Sequence, residues 1–177
     1  MLMDICNKAI ESVHRYCLHD TGELHSKVAD TQKHKSDRLH VSITQFDHMR
    51  NQQSYVKTLE RWIKDLEIAG TLIFCGRAKI YLILFGSEDK LRAFQQLLKT
   101  SNVDVNSRGR PCKEKLSKVL CFESAEKACG NNVIEIESVR AKYKEKLQVF
   151  DLEDNLSLKS CFSDLKLGDL YAKYICN

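Results

Sequence analysis

Long apolar runs are missing from this 177-residue sequence. A helix that crosses a membrane needs about 20 consecutive apolar residues. No stretch approaches that length, so we expect no membrane-spanning segment. The N-terminus contains Asp4 and has no basic segment followed by an unbroken apolar core, so it does not match a secretory signal peptide. These two absences favour an intracellular protein.

Paired cysteines are also missing. The eight cysteines are dispersed along the chain, and no two have the C-x-x-C spacing of a zinc or redox site. The four histidines from His14 to His34 lack paired ligand spacing as well, so we expect no bound metal and mostly free thiols. Cys112 has the cationic neighbours Arg110 and Lys113, which could favour the thiolate, but we interpret this thiol as structural or incidental.

The common catalytic and cofactor-binding signatures are absent too. The sequence contains no G-x-S-x-G, no phosphate-binding glycine loop, no H-E-x-x-H and no dinucleotide fingerprint. Asp47 and His48 are adjacent and have the chemistry for acid–base work, but no nucleophile with a supporting motif accompanies them. We expect no enzyme activity and no cofactor, and we interpret Asp47 as the cap of a turn.

What the sequence does contain is an ordered series of strand and helix patterns. Leu39–Phe46 alternates apolar and polar residues, the period of a strand with one buried face. Apolar residues then recur at helical spacing, which predicts a helix from about Asn51 to Ile68 that ends at Gly70. The buried face of this helix is expected to contain Tyr55, Leu59, Trp62, Ile63 and Leu66.

Two short apolar strands, Thr71–Cys75 and Ala78–Phe85, are predicted after this helix. The second strand has too few polar residues to be half exposed, so we place it in the middle of a sheet. A second amphipathic helix begins after Ser87. Glu88 and Asp89 lie in its first turn, where the helix dipole favours acidic side chains.

One further strand would complete the β-α-β-β-α-β order of a ferredoxin-like sandwich, an α+β fold. Val103 and Val105 alternate with polar neighbours and predict this fourth strand. Leu116–Phe122 predicts a further strand that lengthens the sheet. Helical spacing of apolar residues predicts a basic amphipathic helix over Val139–Phe150, and the last part of the chain, Asp151–Asn177, predicts a C-terminal helical extension.

The residues of this region resemble a known family. DHMRNQQSYVKTLERWIKDLEIAGTLIFCG, ILFG and KTSNVDVNSRGRPCKEKLSKVLCFE resemble the domain after the RWD domain in the RWD-domain-containing sumoylation enhancer family. The C-terminal domain of a spliceosomal tri-snRNP protein is a more distant similarity. The resemblance covers roughly Leu39 to Phe122.

The resemblance implies a non-catalytic protein-interaction domain of a regulator of SUMO conjugation, in the nucleus and cytoplasm. The protein partner that it implies is the SUMO-conjugating enzyme. In that family, contact with this enzyme is associated with the RWD domain, whose strands are not in this sequence.

The N-terminal part of the chain has a different pattern. Apolar residues from Cys6 to Cys17 are spaced four, three and four apart, which predicts an extra helix within residues 1–20. By the resemblance, it corresponds to the last helix of the RWD domain. Residues 21–38 almost lack large apolar side chains and predict a flexible linker. Residues 39–177 would then form the ferredoxin-like domain.

The densest basic cluster is a candidate binding site. The net charge of +4 is too modest to indicate a nucleic-acid-binding protein by itself, but one loop concentrates positive charge. Its cations are Arg108, Arg110, Lys113, Lys115 and Lys118. Such a loop can contact phosphates, and the RNA-binding spliceosomal relative supports an RNA-binding module. A solvated loop or a contact to a protein partner is the other interpretation, favoured because the K/R-G-F/Y pattern of base-stacking sheets is absent.

Overall fold

The structure is a computed structural model, and it describes residues 38–76, 79–129, 138 and 140–176. These residues belong to one unit, Arg38–Asn177. The predicted N-terminal helix within residues 1–20 lies outside the described residues, as does the predicted linker except for Arg38.

The helices and strands of the described residues follow one another in a mixed α+β order. They are β1 (Leu39–Phe46), α1 (Gln52–Asp65), β2 (Ala69–Cys75), β3 (Lys79–Ser87), α2 (Glu88–Thr100), β4 (Asn102–Val105), β5 (Pro111–Lys113), β6 (Ser117–Ser124), α3 (Ala125–Cys129), β7 (Leu147–Leu152), α4 (Asn155–Asp164) and α5 (Gly168–Tyr174).

A five-stranded sheet, with strand order β6-β1-β3-β2-β7, forms the centre of the fold. Neighbours among β6, β1, β3 and β2 are antiparallel, and β7 is parallel to β2. Ile43 of β1 lies opposite Ile83 of β3 on one side and Cys121 of β6 on the other. The expected middle position of β3 and the expected α+β, ferredoxin-like class are both confirmed.

The prediction that Val103 and Val105 belong to the fourth strand of this sheet is wrong. Their strand, β4, has four residues and pairs only with β5, in a separate two-stranded sheet. The position beside β1 is taken by β6, which has eight residues and pairs along β1 from Phe46 to His40. The β1–β6 pairing is longer and satisfies more backbone hydrogen bonds than β4 could form with β1. The short β4 pairs with β5 in a local hairpin instead.

Helix α1 begins at a different residue from the predicted cap. Asn51 is the N-cap, and its side-chain oxygen accepts a hydrogen bond from the backbone N–H of Ser54 at 3.1 Å. The carboxylate of Asp47 instead lies 2.9 Å from Nδ1 of the adjacent His48. The prediction that Asp47 caps the turn is therefore wrong, because Asn51 stands at the position from which a side chain reaches the free N–H groups.

The predicted end of α1 at Gly70 is also wrong. The helix ends at Asp65, and the chain turns at Glu67, whose φ of 51° lies in the left-handed region. Gly70 lies inside β2, where an added Cβ would come within 2.6 Å of Ile63 Cδ1. Gly70 therefore permits close contact between helix and sheet, a role that glycine commonly has in strands.

One face of the sheet is covered by α1 and α2. Trp62 of α1 and Phe94 of α2 meet edge to face, with ring centroids 5.9 Å apart, and only 6% of Trp62 is exposed. The expected burial of Trp62 is confirmed. The other buried residues of this layer include Phe46, Tyr55, Leu59, Ile63, Leu72, Leu82, Leu84, Leu91 and Leu98.

The opposite face of the sheet is covered by the C-terminal helices. Residues of α4, α5 and the segment between them pack on apolar side chains that point to this side of the strands. The layer is built from Leu158, Phe162, Leu165, Leu167, Leu170 and Tyr171 against Val41, Ile43, Ile73, Tyr81, Ile83, Phe85 and Cys121. The expected C-terminal helical extension is therefore present as a buried layer.

The predicted helix over Val139–Phe150 is wrong in its second half. Leu147–Leu152 is β7, at one edge of the main sheet. Glu145 has a φ of 59°, which interrupts a helix before this strand begins. Leu147 then packs with the α1 layer, and Phe150 packs with the opposite layer. These apolar side chains thus lie on opposite faces of a strand rather than on one face of a helix.

Candidate functional site

The β4–β5 hairpin contains most of the predicted basic cluster and is fixed to the start of α1. The Asp104 carboxylate accepts hydrogen bonds from the backbone N–H groups of Arg50 at 2.9 Å and Asn51 at 3.0 Å. It also accepts the N–H of Val105 at 2.7 Å. Both carboxylate oxygens of Asp104 are therefore used to join segments 54 residues apart in the sequence.

These contacts change the acidity of Asp104. Partial burial by itself would raise the pKa of this carboxyl. The N–H donors of Asn51, Arg50 and Val105, helped by the nearby His48, outweigh the burial, so the pKa lies below the ordinary value for aspartate. Asp104 is thus a charged, hydrogen-bonded structural residue at neutral pH.

A second carboxylate fixes the other end of the hairpin. The hydroxyl of Tyr55 in α1 donates to Glu114 Oε2 at 2.7 Å, and Glu114 Oε1 accepts the backbone N–H of Leu116 at 2.7 Å. Burial of Tyr55, followed by its contact with Glu114, raises the pKa of the phenol far above its usual range. The Tyr55 hydroxyl therefore remains protonated at neutral pH, and the hydrogen bond that it donates holds Glu114 in place.

The hairpin turn is closed by its own residues. The side-chain oxygen of Asn106 accepts the N–H groups of Arg108 at 2.9 Å and Arg110 at 3.1 Å. Gly109 has a φ of 72°, a conformation that glycine adopts without strain. The two arginine side chains are consequently exposed on a turn with a defined backbone.

A groove of about 260 Å³ lies between this hairpin and the connection from β1 to α1. Its basic lining residues are His48, Arg50, Lys113 and Lys115, and we call it the cationic groove. Cys112 and Leu116 also line it. Within the part of the chain that the structure describes, no carboxylate oxygen lies within 4.0 Å of the Arg50, Lys113 or Lys115 side-chain nitrogens. The positive charge of the groove is therefore available to a ligand.

Half of the chain is similar to known RWD proteins. Over 88 residues it is 43% identical to RWD domain-containing protein 3 of Homo sapiens, a match that covers 50% of this chain and 32% of that protein. Over 79 residues it is 44% identical to the Xenopus tropicalis protein of the same name, covering 45% of this chain and 29% of that one. The match thus spans about a third of the length of these relatives.

The other comparisons are less specific. No family model matches the chain. Among solved structures, the dark state of BlrB, a BLUF protein, is 13% identical with a TM-score of 0.43, covering 78% of this chain and 89% of that one.

The structure divides the five predicted cations among three places. Lys113 and Lys115 line the cationic groove. Arg108 and Arg110 lie on the hairpin turn, and Lys118 lies on the edge strand β6. Their local density in the sequence predicted a shared loop, but only two of them share the groove wall.

Two basic residues of the groove, His48 and Arg50, were missed by the basic-cluster prediction. They lie before α1, and Lys113 and Lys115 follow β4, so nothing in the local sequence connects the two pairs. Arg50 reaches the site because its own backbone N–H is held by Asp104. The one signal near them in the sequence is the Asp47–His48 pair, whose chemistry suits acid–base work or the capping of a turn and does not indicate a basic groove.

A larger groove, of about 640 Å³, lies between β7 and α4. Tyr143, Phe150 and Cys161 are among its lining residues. Burial raises the pKa of the Cys161 thiol to about 11, so this sulfur is protonated at neutral pH and is a poor nucleophile. This groove therefore has no reactive group among these residues.

The remaining sites that we considered in the sequence concern cysteines, metals and membranes. The cysteines with described side chains, Cys75, Cys112, Cys121, Cys161 and Cys176, are free thiols. Within the same described ranges, no group of three His, Cys, Asp or Glu side chains is placed to hold a metal ion. None of the helices that the structure describes has the length and apolarity to cross a membrane.

Proposed function

We propose that this chain is a non-catalytic protein-interaction domain of a regulator of SUMO conjugation that works in the nucleus and cytoplasm. The observation that carries this proposal is the 43% identity to RWD domain-containing protein 3 over half of the chain. The resemblance of the α1 and hairpin segments to the sumoylation enhancer family adds the SUMO pathway, with the SUMO-conjugating enzyme as the partner to be tested.

The covered sheet supports a protein-interaction role over base stacking. Many sheet-based RNA-binding modules stack bases on aromatic side chains of an open sheet face. Here α1 and α2 cover one face and the C-terminal helices cover the other. A partner must therefore contact loops, sheet edges, the hairpin or the outer sides of the helices, and loops on a rigid scaffold are common places for recognition.

The test is titration of the purified chain with the SUMO-conjugating enzyme, followed by a reconstituted SUMO-conjugation assay. Because contact with this enzyme is associated with the RWD domain in that family, we expect the chain alone to bind more weakly than a form that carries the whole RWD domain and to speed conjugate formation correspondingly less, with no conjugation when the conjugating enzyme is omitted. Equal affinity of the two forms would contradict this division of roles. A chain that neither binds this enzyme nor changes the conjugation rate would contradict the assignment to the SUMO pathway.

RNA binding is the second candidate function, and the cationic groove is the observation that favours it. The contacts would come from Arg108, Arg110, Lys113 and Lys115, and from Lys118 on β6. Binding of single-stranded RNA should weaken steeply with salt, and loss of two phosphate contacts should reduce the logarithmic salt slope by ~1.4 units. Fluorescence anisotropy at low salt is the measurement, and no binding there would exclude this function.

A further inference from the structure

Within the described residues, the acidic residues of the cationic groove form no ion pair with its lysines. Asp104 accepts three backbone N–H groups, and Glu114 accepts the Tyr55 hydroxyl and the N–H of Leu116. Each of these four carboxylate oxygens already has a donor. These two residues link separate segments of the fold through hydrogen bonds, and the side chains of Arg50, Lys113 and Lys115 around them are exposed to solvent.

The hydrogen bonds of Asp104 and Glu114 also hold the walls of the groove together before any ligand binds. Asp104 joins the hairpin to the start of α1, and Tyr55, which is fully buried, holds Glu114 at the other end of the hairpin. Lys113 and Lys115 stand on either side of Glu114 in the sequence, so their backbone is fixed with it. A site that is ordered in advance loses less entropy when it binds, and its concentrated positive charge attracts an anionic ligand.

An exposed leucine restricts the kind of anion. Leu116 is 57% exposed and lines the groove beside Lys115, and Val119, which is 40% exposed, follows on β6. An apolar side chain next to lysines matches a ligand that carries an apolar group next to negative charges. A protein segment rich in Asp and Glu has this chemistry, whereas a nucleic-acid backbone presents phosphates and relies on rings for its apolar contacts.

The shape of the groove agrees with such a ligand. No Phe, Tyr or Trp side chain is among its described lining residues, so its surfaces for base stacking are limited to the His48 ring and the Arg50 guanidinium. Its volume of about 260 Å³ is below the ~300–1,000 Å³ of typical small-molecule sites. A few side chains of an extended peptide fit this size.

We infer that the cationic groove is the docking site for an acidic segment of a protein partner. Arg50, Lys113 and Lys115 bind its carboxylates, the exposed Arg108 and Arg110 attract it, and Leu116 contacts one apolar side chain between the acids. This inference rests on the proposed role as a protein-interaction domain, and it specifies the surface and the chemistry of the partner.

The test uses the full chain and a fluorescein-labelled peptide in which Asp and Glu flank a single leucine. Anisotropy should show saturable binding that weakens with salt. The double variant Lys113→Glu/Lys115→Glu should weaken binding at least tenfold. The matched control Lys57→Glu/Lys159→Glu makes the same charge change at exposed positions outside the groove and should change the affinity less than twofold.

The apolar contact has its own test. Leu116→Ser should weaken binding of the leucine peptide about threefold to tenfold, and it should have no effect on a peptide in which the leucine is replaced by glycine. Melting curves for every variant check that the fold is retained. Equal losses for both peptides would show that Leu116 does not contact the ligand.

Two results would overturn the docking site. One is an equal loss of affinity in the groove variant and in the matched control, which would show attraction by net charge alone. The other is tighter binding of a single-stranded RNA of equal charge, abolished by Lys113→Glu/Lys115→Glu, which would assign the groove to RNA.

The SUMO-conjugation assay separates failure of the docking site from failure of the proposed function. A chain that stimulates conjugation but does not bind the peptide has the proposed function without this docking site. A chain that binds the peptide through the groove but leaves conjugation unchanged has the docking site outside the SUMO pathway.

Discussion

The two faces of the main sheet are covered by helices of different kinds. On one face, α1 has 14 residues and α2 has 13, and each presents a continuous apolar side to the strands. On the other face, α4 has 10 residues and α5 has seven, and the residues between them also contribute to the core. A long helix repeats its apolar positions over several turns, so its helical spacing is visible in the sequence. The short helices α4 and α5 have too few turns for this spacing to be recognised.

This difference also has a functional meaning. The first four strands of the β6-β1-β3-β2-β7 order and the two long helices make the ferredoxin-like layer, which by itself would leave one sheet face open. The C-terminal helices cover that face with residues such as Phe162 and Tyr171. Binding surfaces are therefore displaced to the rim, where the hairpin and its cationic groove lie. The following experiments test whether the two layers are equal parts of one fold.

Truncation of Trp62 should have the largest effect. Trp62→Ala removes the ring that meets Phe94 between α1 and α2 and should lower the free energy of unfolding by about 3–5 kcal/mol. Urea denaturation followed by circular dichroism measures it. Arg61→Ala, at the exposed neighbouring position, should change stability by less than about 0.5 kcal/mol. An unchanged midpoint for Trp62→Ala would place the indole outside the core.

Truncation of Leu158 tests the other layer. This side chain of α4 is fully buried, and Leu158→Ala should lower the free energy of unfolding by about 2–5 kcal/mol. Leu156, in the same helix, is 76% exposed, so Leu156→Ala is a matched control with little expected effect. A loss below about 0.5 kcal/mol for Leu158→Ala would show that the C-terminal layer is an appendage rather than part of the core.

Loss of the Asp104 carboxylate should have an intermediate effect. Asp104→Ala leaves the N–H groups of Arg50 and Asn51 without their acceptor, and we expect a loss of about 1.5–3 kcal/mol. Asp47→Ala, an exposed carboxylate of the β1–α1 connection, is the control. Equal melting temperatures for the two variants would show that the hairpin is not held through Asp104.

The same residue predicts a pH dependence. Because the pKa of Asp104 is lower in the folded chain, the unfolded chain takes up its proton first as the pH falls. Asp104 contributes its full stabilisation of the folded chain above the ordinary aspartate pKa of about 4. This contribution decreases as the pH falls through the lower pKa that Asp104 has in the folded chain. The stability difference between the native chain and Asp104→Ala should therefore narrow below about pH 4. A difference that stays constant down to pH 2 would contradict the lowered pKa.

The smallest expected effect concerns the attachment of α5. The Tyr174 hydroxyl donates to Glu123 Oε1 of β6 at 2.6 Å, and this contact lowers the pKa of Glu123. Tyr174→Phe should cost about 0.5–1.5 kcal/mol. Tyr143→Phe removes a hydroxyl that has no hydrogen-bond partner in the described parts of the chain and is the control. Denaturation midpoints that agree between the two variants would show that this hydrogen bond adds no net stability.

The sequence predictions succeeded where one segment determines its own structure. The apolar run of β3 placed it in the middle of the sheet, and the helical spacing around Trp62 identified the buried side of α1. They failed where two segments compete for one position. Val103 and Val105 alternate as a strand should, yet β6 displaces them because it pairs along nearly all of β1. The spacing of Leu147 and Phe150 is compatible with both a helix and a strand. Pairing with β2 makes this segment a strand.

By itself, then, the sequence determined the two long amphipathic helices, the central strand and the density of positive charge around Lys113, since periodicity and composition are local properties of a chain. Only the tertiary structure decided which strands are neighbours, that the second sheet face is covered, and that His48 and Arg50 join Lys113 and Lys115 in one groove. The physical reason is that strand pairing and groove formation depend on hydrogen bonds between distant segments, such as the contact from Arg50 to Asp104, and local patterns do not encode which distant partner will be met.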